Sequence, residues 1–223
     1  MIITIDGPAG AGKSTVAREI AKRLGFVHLD SGAVYRAAAL VARERGIELS
    51  NARAVAEVVG KLKIEFKEGG RVFLSSADRT KEVRSEEAGK LASIIAQHEE
   101  VRDAVVKLLR ELAKGKDVVI DGRDAGSFIF PDAEVKVYLT ASAEERARRR
   151  WKELLARGES AEYEKILREI TERDRKDSSR KFAPLQVPKG ATVIDTTGLS
   201  LEEVIERVMA LTGRDGRVQR SSG

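Results

Sequence analysis

The amino-acid sequence predicts a three-layer α/β fold on a five-stranded parallel sheet, and three features of the chain point to it. Short runs rich in Ile and Val, at 2–6, 26–30, 117–121, 135–140 and 192–195, alternate with longer stretches of helical period. Runs of that kind suit strands buried on both faces, and strand–helix alternation gives a doubly wound sheet with right-handed crossovers. A glycine-rich loop follows the first run and opens the first helix. One stretch breaks the rhythm: 63–67 and 71–75 read as two strands joined at Glu68-Gly69-Gly70, an antiparallel hairpin set among helices.

Taken in order, the first strand leads into Gly7-Pro8-Ala9-Gly10-Ala11-Gly12-Lys13-Ser14 and a helix over 13–24 that stops at Gly25. The second strand is followed by a helix over 33–45 that stops at Gly46. A glycine just past a helix takes the left-handed conformation that closes the last turn. Residues 31–112 hold more chain than one crossover needs, so they are expected to form a semi-independent region that receives an acceptor. Ser142 with Glu145 and Ser200 with Glu203 are capping-box pairs that start two later helices, the second ending at Gly213. Beyond it, 214–223 reads as a polar, frayed tail.

Composition narrows the function. A chain of 223 residues, 42% apolar and 35% charged, can bury the core of one domain and is not disordered. Its apolar runs, such as 37–42, fall far short of the roughly 18 residues of a membrane span. Met1 leads straight into the first strand without a basic leader, so a cytoplasmic location and no membrane partner are expected. The absence of cysteine excludes disulfides and thiolate metal sites. The net charge of +5 suits either nucleic acid or small anions. Arginines gather at 146–150 and 168–180, but acidic residues interrupt both stretches, unlike a nucleic-acid arm. Some belong to helix-face pairs such as Glu144/Arg148 and Glu145/Arg149; separate arginines also suit a pocket for several phosphates. A monomer that binds small nucleotides and no nucleic acid is expected. His28 and His98 lack metal-ligand spacing; Tyr35 is expected to fill the core or pack beneath an acceptor, and Trp151 to pack rather than stack on adenine.

The octapeptide Gly7 to Ser14 fits G-x-x-x-x-G-K-S in full, between a strand and a helix. Its backbone N–H groups, through Thr15, would wrap a phosphate, with the helix N-terminus adding positive potential. Lys13 would reach the β- and γ-phosphates of ATP, and Ser14 would ligate Mg²⁺. Asp30 and Asp121, at the ends of the second and third strands, stand where they could hold waters of that ion. A GTPase would need Asn-Lys-x-Asp, whereas the sole asparagine, Asn51, precedes Ala52-Arg53. Motor-type ATPases usually run longer. A small P-loop kinase remains.

Three further segments complete the pattern: Asp30-Ser31-Gly32-Ala33-Val34-Tyr35-Arg36, Asp121-Gly122-Arg123-Asp124, and Arg173-Asp174-Arg175-Lys176-Asp177-Ser178-Ser179-Arg180. With the P-loop and in this order, over about residues 1–212, the chain closely resembles bacterial-type cytidylate kinases, which are P-loop nucleoside monophosphate kinases. The resemblance implies transfer of the ATP γ-phosphate to CMP or dCMP, with Mg²⁺. It implies a single domain over 1–213, with a core at 1–30, 113–147 and 170–213, a monophosphate-binding insert at 31–112 and a helical lid at 148–169, near Arg148 to Arg157. Ser31, Ser93, Arg102 and Asp124 would read the cytosine ring. Arg36, Arg123 and Arg180 would contact the acceptor phosphate or the transferring group, and Asp177 the ribose, with Arg173 in the same pocket. Lys13, Arg123, Arg173 and Arg180 are thus the expected catalytic set. Ala125 and Ser127-Phe128 depart from the bulkier residues common there.

The chemistry of the base agrees. Cytosine offers an N4 donor and acceptors at N3 and O2, which an aspartate and an arginine or serine can meet. Uracil carries an oxygen in place of N4, so Asp124 would disfavour UMP. Kinases of UMP, dTMP or AMP remain the alternative reading.

Overall fold

The computed structural model describes residues 1–156 and 158–214. Arg157 and residues 215–223, where part of the lid and the polar tail are expected, lie outside the described residues. Five parallel strands form the central sheet: β1 (Ile2–Asp6), β2 (Val27–Asp30), β6 (Val118–Asp121), β7 (Val135–Thr140) and β8 (Thr192–Asp195), in the order β2-β6-β1-β7-β8. A second sheet holds β3 (Ile64–Lys67), β4 (Arg71–Leu74) and β5 (Ala77–Asp78) in antiparallel order. The helices are α1 (Lys13–Leu24), α2 (Ser31–Glu44), α3 (Ala52–Gly60), α4 (Thr80–Val83), α5 (Glu86–Ile95), α6 (Glu99–Ala113), α7 (Ala143–Ala156), α8 (Tyr163–Ser178) and α9 (Leu201–Leu211).

Alternation along the strands divides the core into two. Val118 and Ile120 of β6 face one side of the sheet, packed in one cluster with Leu29 of β2, Leu40 of α2, Val55 of α3, Ile95 of α5 and Leu109 of α6. Val119 faces the other side, with Ile3, Ile5, Ile20, Leu139 and Val208 beneath α1 and α9. Pairing also aligns the strand ends: Ile5 lies opposite Asp121, Asp30 opposite Asp121, and Asp6 opposite Tyr138. The loops after β1, β2 and β6 therefore leave one edge of the sheet together, where ligands bind in open α/β folds.

Several expected boundaries shift, each for a visible reason. The Phe26 N–H donates to the Ala21 carbonyl, so Phe26 closes α1 instead of opening β2. The second helix begins at Ser31, not 33, because the Asp30 side chain accepts the Ala33 N–H and caps it with no intervening loop. The expected hairpin gains a third strand, β5, joined to β4 by Ser75 and Ser76, both at positive φ. Arg148 pairs with Glu145 rather than Glu144. Ser142 accepts the Glu145 N–H, but the Glu145 carboxylate turns to Arg148 and Arg149, leaving half a capping box. Ser200 and Glu203 form the full box. α7 and α8 pack on each other through Ala147, Ile166 and Ile170, with Trp151 alongside donating Nε1–H to the Ala161 carbonyl.

Candidate active site

The glycine loop has the shape its spacing promises. Gly7 sits at φ 144°, and a Cβ there would lie 2.0 Å from the Leu139 carbonyl oxygen of β7. Gly12 caps α1 at φ 84°, with the Thr15 and Val16 N–H groups both donating to its carbonyl. Lys13 is buried and donates to the Pro8 carbonyl of its own loop at 2.7 Å. Burial, and next the Arg123 charge, hold its ammonium well below the usual range. The Ser14 hydroxyl donates to Asp121 at 2.5 Å, and His28 Nε2 meets the other Asp121 oxygen at 2.7 Å. Burial favours the neutral Asp121 carboxyl, yet the His28 and Ser14 hydrogen bonds and the Lys13 charge hold it below its ordinary value.

Beside the loop, two strand ends lock the neighbouring segments. Ser31 is buried and donates to the Asp121 carbonyl at 2.8 Å. A Cβ on Gly122 would come within 2.6 Å of that hydroxyl, so the Asp-Gly step is needed for the two segments to meet. Asp6, fully buried, accepts the Ala125 and Gly126 N–H groups at 2.7 Å each. It thereby fixes the turn that carries Asp124.

Cations dominate the space in front. Arg123 bonds Asp177 through Nε at 2.9 Å, and Arg180 ion-pairs with the second Asp177 oxygen. Those arginines and Arg173 keep the Asp177 carboxyl low although burial pushes it up. Arg173 is half-buried, its Nε is sealed from solvent without a partner, and burial together with the Arg123 charge lowers it to about 10. Arg36, beside Asp30 over the first turn of α2, adds to the charge Arg173 feels. Arg123, Arg173 and Arg180 thus gather around Asp177, with Arg36 near Arg173 and with Lys13, which also feels Asp121 and Asp6, near Arg123 and Arg173. Arg102 and Asp124 form a separate buried ion pair, with Arg102 also donating to the Ala96 carbonyl and its guanidinium 5.6 Å from the Tyr35 ring. Arg180 links the two groups, since it feels the charges of Arg102, Asp124 and Asp177.

Not every expected residue joins. Ser93 stands on α5, half-buried, its hydroxyl donating to the Gly89 carbonyl at 3.0 Å. One Asp30 oxygen is engaged as the α2 cap. Conversely, sequence reasoning passed over Asp6, Arg146 and Asp174. Arg146 is buried, donates to the carbonyls of Ala9 at 2.8 Å and Ala141 at 2.9 Å, and pairs with Asp174 at 2.6 Å. Asp174 in turn accepts the Ala9 N–H at 3.3 Å. In sequence Arg146 is one arginine among several, and only the position of Asp174 beside Arg173 offered a signal. No helix among the described residues is long and apolar enough to cross a membrane.

A family model described as cytidylate kinase matches residues 3–214. A cytidylate kinase of Caldanaerobacter subterraneus subsp. tengcongensis is 50% identical over 206 residues, 92% of this chain and 92% of its own. Another, of Shouchella clausii, is 44% identical over 218 residues, 96% of this chain and 97% of its own. An uncharacterized protein of Eubacterium ventriosum has the same fold at a TM-score of 0.52 and 12% identity, over 96% of this chain and 99% of the other.

Proposed function

The chain belongs to the cytidylate kinase family, and from that membership we propose that it transfers the γ-phosphate of ATP to CMP or dCMP, giving ADP and CDP or dCDP. The observation that supports the site assignment best is the arginine cluster itself. Arg123, Arg173 and Arg180 share Asp177, Arg36 and Lys13 stand near them, and the buried Arg173 Nε–H has no acceptor, so the pocket is short of negative charge that two nucleotide phosphates would supply.

We read the P-loop, Gly7 to Thr15, as the donor cradle. The acceptor phosphate lies against Arg36, Arg123, Arg173 and Arg180, and the ribose against Asp177. Asp124, held by Arg102, takes the cytosine N4 donor, with Ser31 as a further contact to the base; Ser93 would have to leave its bond to the Gly89 carbonyl to reach it. An acceptor phosphate has a second pKa of about 6 and is mostly ionised at neutral pH, so no general base is required. The work of these residues is to neutralise, align and desolvate. Lys13 leaves the Pro8 carbonyl to meet the triphosphate, and Arg123 and Arg173, whose charges it already feels, meet the group in transit.

The Ser14 hydroxyl and the Asp121 carboxylate form an oxygen donor set suited to Mg²⁺, which keeps most of its waters and leans on phosphate. Bound there, the ion would neutralise the β- and γ-phosphates. Among the described residues no group of three or more His, Cys, Asp or Glu could hold a metal by itself. Residues 31–112 are read as the acceptor insert and 148–169 as the lid that excludes water. The protein is read as a cytoplasmic monomer.

The test is an ADP-release assay with Mg²⁺ and ATP over CMP, dCMP, UMP, dTMP and AMP. CMP and dCMP should lead the panel. Preference for UMP or AMP would contradict the role of Asp124, and no turnover on any acceptor would overturn the assignment.

A further inference from the structure

The contacts of Asp174 reach beyond phosphate handling. Ala9 is held at both ends of its residue by the same pair: its carbonyl accepts from Arg146 of α7, and its N–H donates to Asp174 of α8. Arg146 and Asp174 also bond each other at 2.6 Å, and a Cβ on Gly10 would lie 3.1 Å from the Arg146 Cβ. The donor loop therefore rests directly on α7 and α8, the two helices that run into the segment read as the lid. Those helices share a small core of Ala147, Ile166 and Ile170, which makes them one body.

Asp174 is also the neighbour of Arg173, whose Nε–H is buried and unpartnered, and lies one turn before Asp177, which holds Arg123 and Arg180. One α8 turn thus carries a bond to the donor loop and the groups that would meet the acceptor. A helix transmits displacement at one end of a turn to the other, because its backbone hydrogen bonds do not stretch freely. A carboxylate this close to a triphosphate site would repel the ligand if bare. Paired with the buried Arg146 guanidinium it carries no net charge, and it keeps its bond to Ala9.

From this arrangement, and resting on the nucleotide assignment above, we infer that Asp174 is a positioning residue which, with Arg146, couples the filling of the donor loop to the placement of Arg173 and Asp177 in the acceptor pocket. Triphosphate settling in the loop fixes Ala9; Ala9 fixes Asp174; and the acceptor-facing side of α8 is set with it. By linkage, each nucleotide raises the affinity for the other by the same factor.

Calorimetric titration of CMP tests this, without donor and with a saturating non-hydrolysable ATP analogue and Mg²⁺. The native protein should bind CMP at least about fivefold more tightly when the donor site is filled, within the usual span of coupling between sites. In Asp174→Asn, which keeps the size and one acceptor oxygen but loses the ion pair, that ratio should fall below about twofold, with CMP affinity in the absence of donor little changed. Arg146→Lys, which keeps the charge but not the reach to both carbonyls, should lose the coupling likewise. A native ratio near one overturns the inference, and so does a variant that melts earlier yet keeps the ratio, because the pair would then be structural only. If the native protein binds no CMP in either state, the nucleotide assignment falls and takes this inference with it.

Discussion

At the scale of single residues, placement explains more than identity. Lys13 is an ordinary P-loop lysine in the sequence, yet in the structure it is buried against Pro8, and burial, with the Arg123 charge next, holds its ammonium below the usual range. Replacing it by alanine should lower kcat by about two to three orders of magnitude, as loss of a preorganised charge does, with the circular dichroism spectrum unchanged. Near-normal turnover would contradict the role given to the loop. Asp6 behaves differently. Burial pushes its carboxyl up from 3.8 to about 7, although the Gly126 and Ala125 N–H groups pull it down. The folded protein therefore holds a proton that the unfolded chain has lost across that interval. The contribution of this group to stability is fully present below the lower value and lost as pH rises through the upper one. Relative to Asp6→Asn, the native melting temperature should fall as pH is raised from about 5 to about 8, and a constant difference would show that Asp6 does not titrate there.

At the scale of elements, what the sequence disclosed was local. The strand runs, the glycines that stop α1 and α2, the Ser200 box and the P-loop are all written within a few neighbouring residues, and each appears within a residue or two of its place. What stayed hidden depends on residues distant in the chain. The Ala9–Arg146–Asp174 bracket joins three segments up to 165 positions apart, and no spacing rule announces it. β5 is two residues long, too short for any periodicity. The turn that makes it pairs Leu74 with Ala77 across Ser75 and Ser76, at φ 48° and 73°. Serine pays a steric penalty at positive φ that asparagine and glycine largely avoid. Changing Ser75-Ser76 to Asn-Gly should therefore raise stability by about 0.5–1 kcal/mol in urea unfolding and leave kcat untouched. Destabilisation would show that the serine hydroxyls matter more than the backbone.

At the scale of the molecule, the concentration of positive charge at one sheet edge has a thermodynamic signature. With Arg36, Arg123, Arg173 and Arg180 crowded near Asp177, and Asp124 already paired with Arg102, the pocket carries self-repulsion that a bound anion relieves. CMP at about a hundred times its dissociation constant should add about 2.7 kcal/mol, raising Tm by roughly 5–10 °C in a domain of this size. Cytidine, which lacks the phosphate, should shift it far less. Equal shifts from both would move the binding energy from the arginines to the base pocket.

The central position of β1 governs how the protein can be made. The strand that launches the phosphate loop is translated well before its neighbours β6 and β7, which begin only at Val118 and Val135, and the carbonyl that seats Gly7 belongs to Leu139. A nascent chain leaving the ribosome thus carries the loop's sequence long before it can hold the loop's shape. Nucleotide cannot aid folding by occupying that loop until β7 and Leu139 have emerged, so the segments before them rely on chaperones or on their own helices to stay out of aggregates.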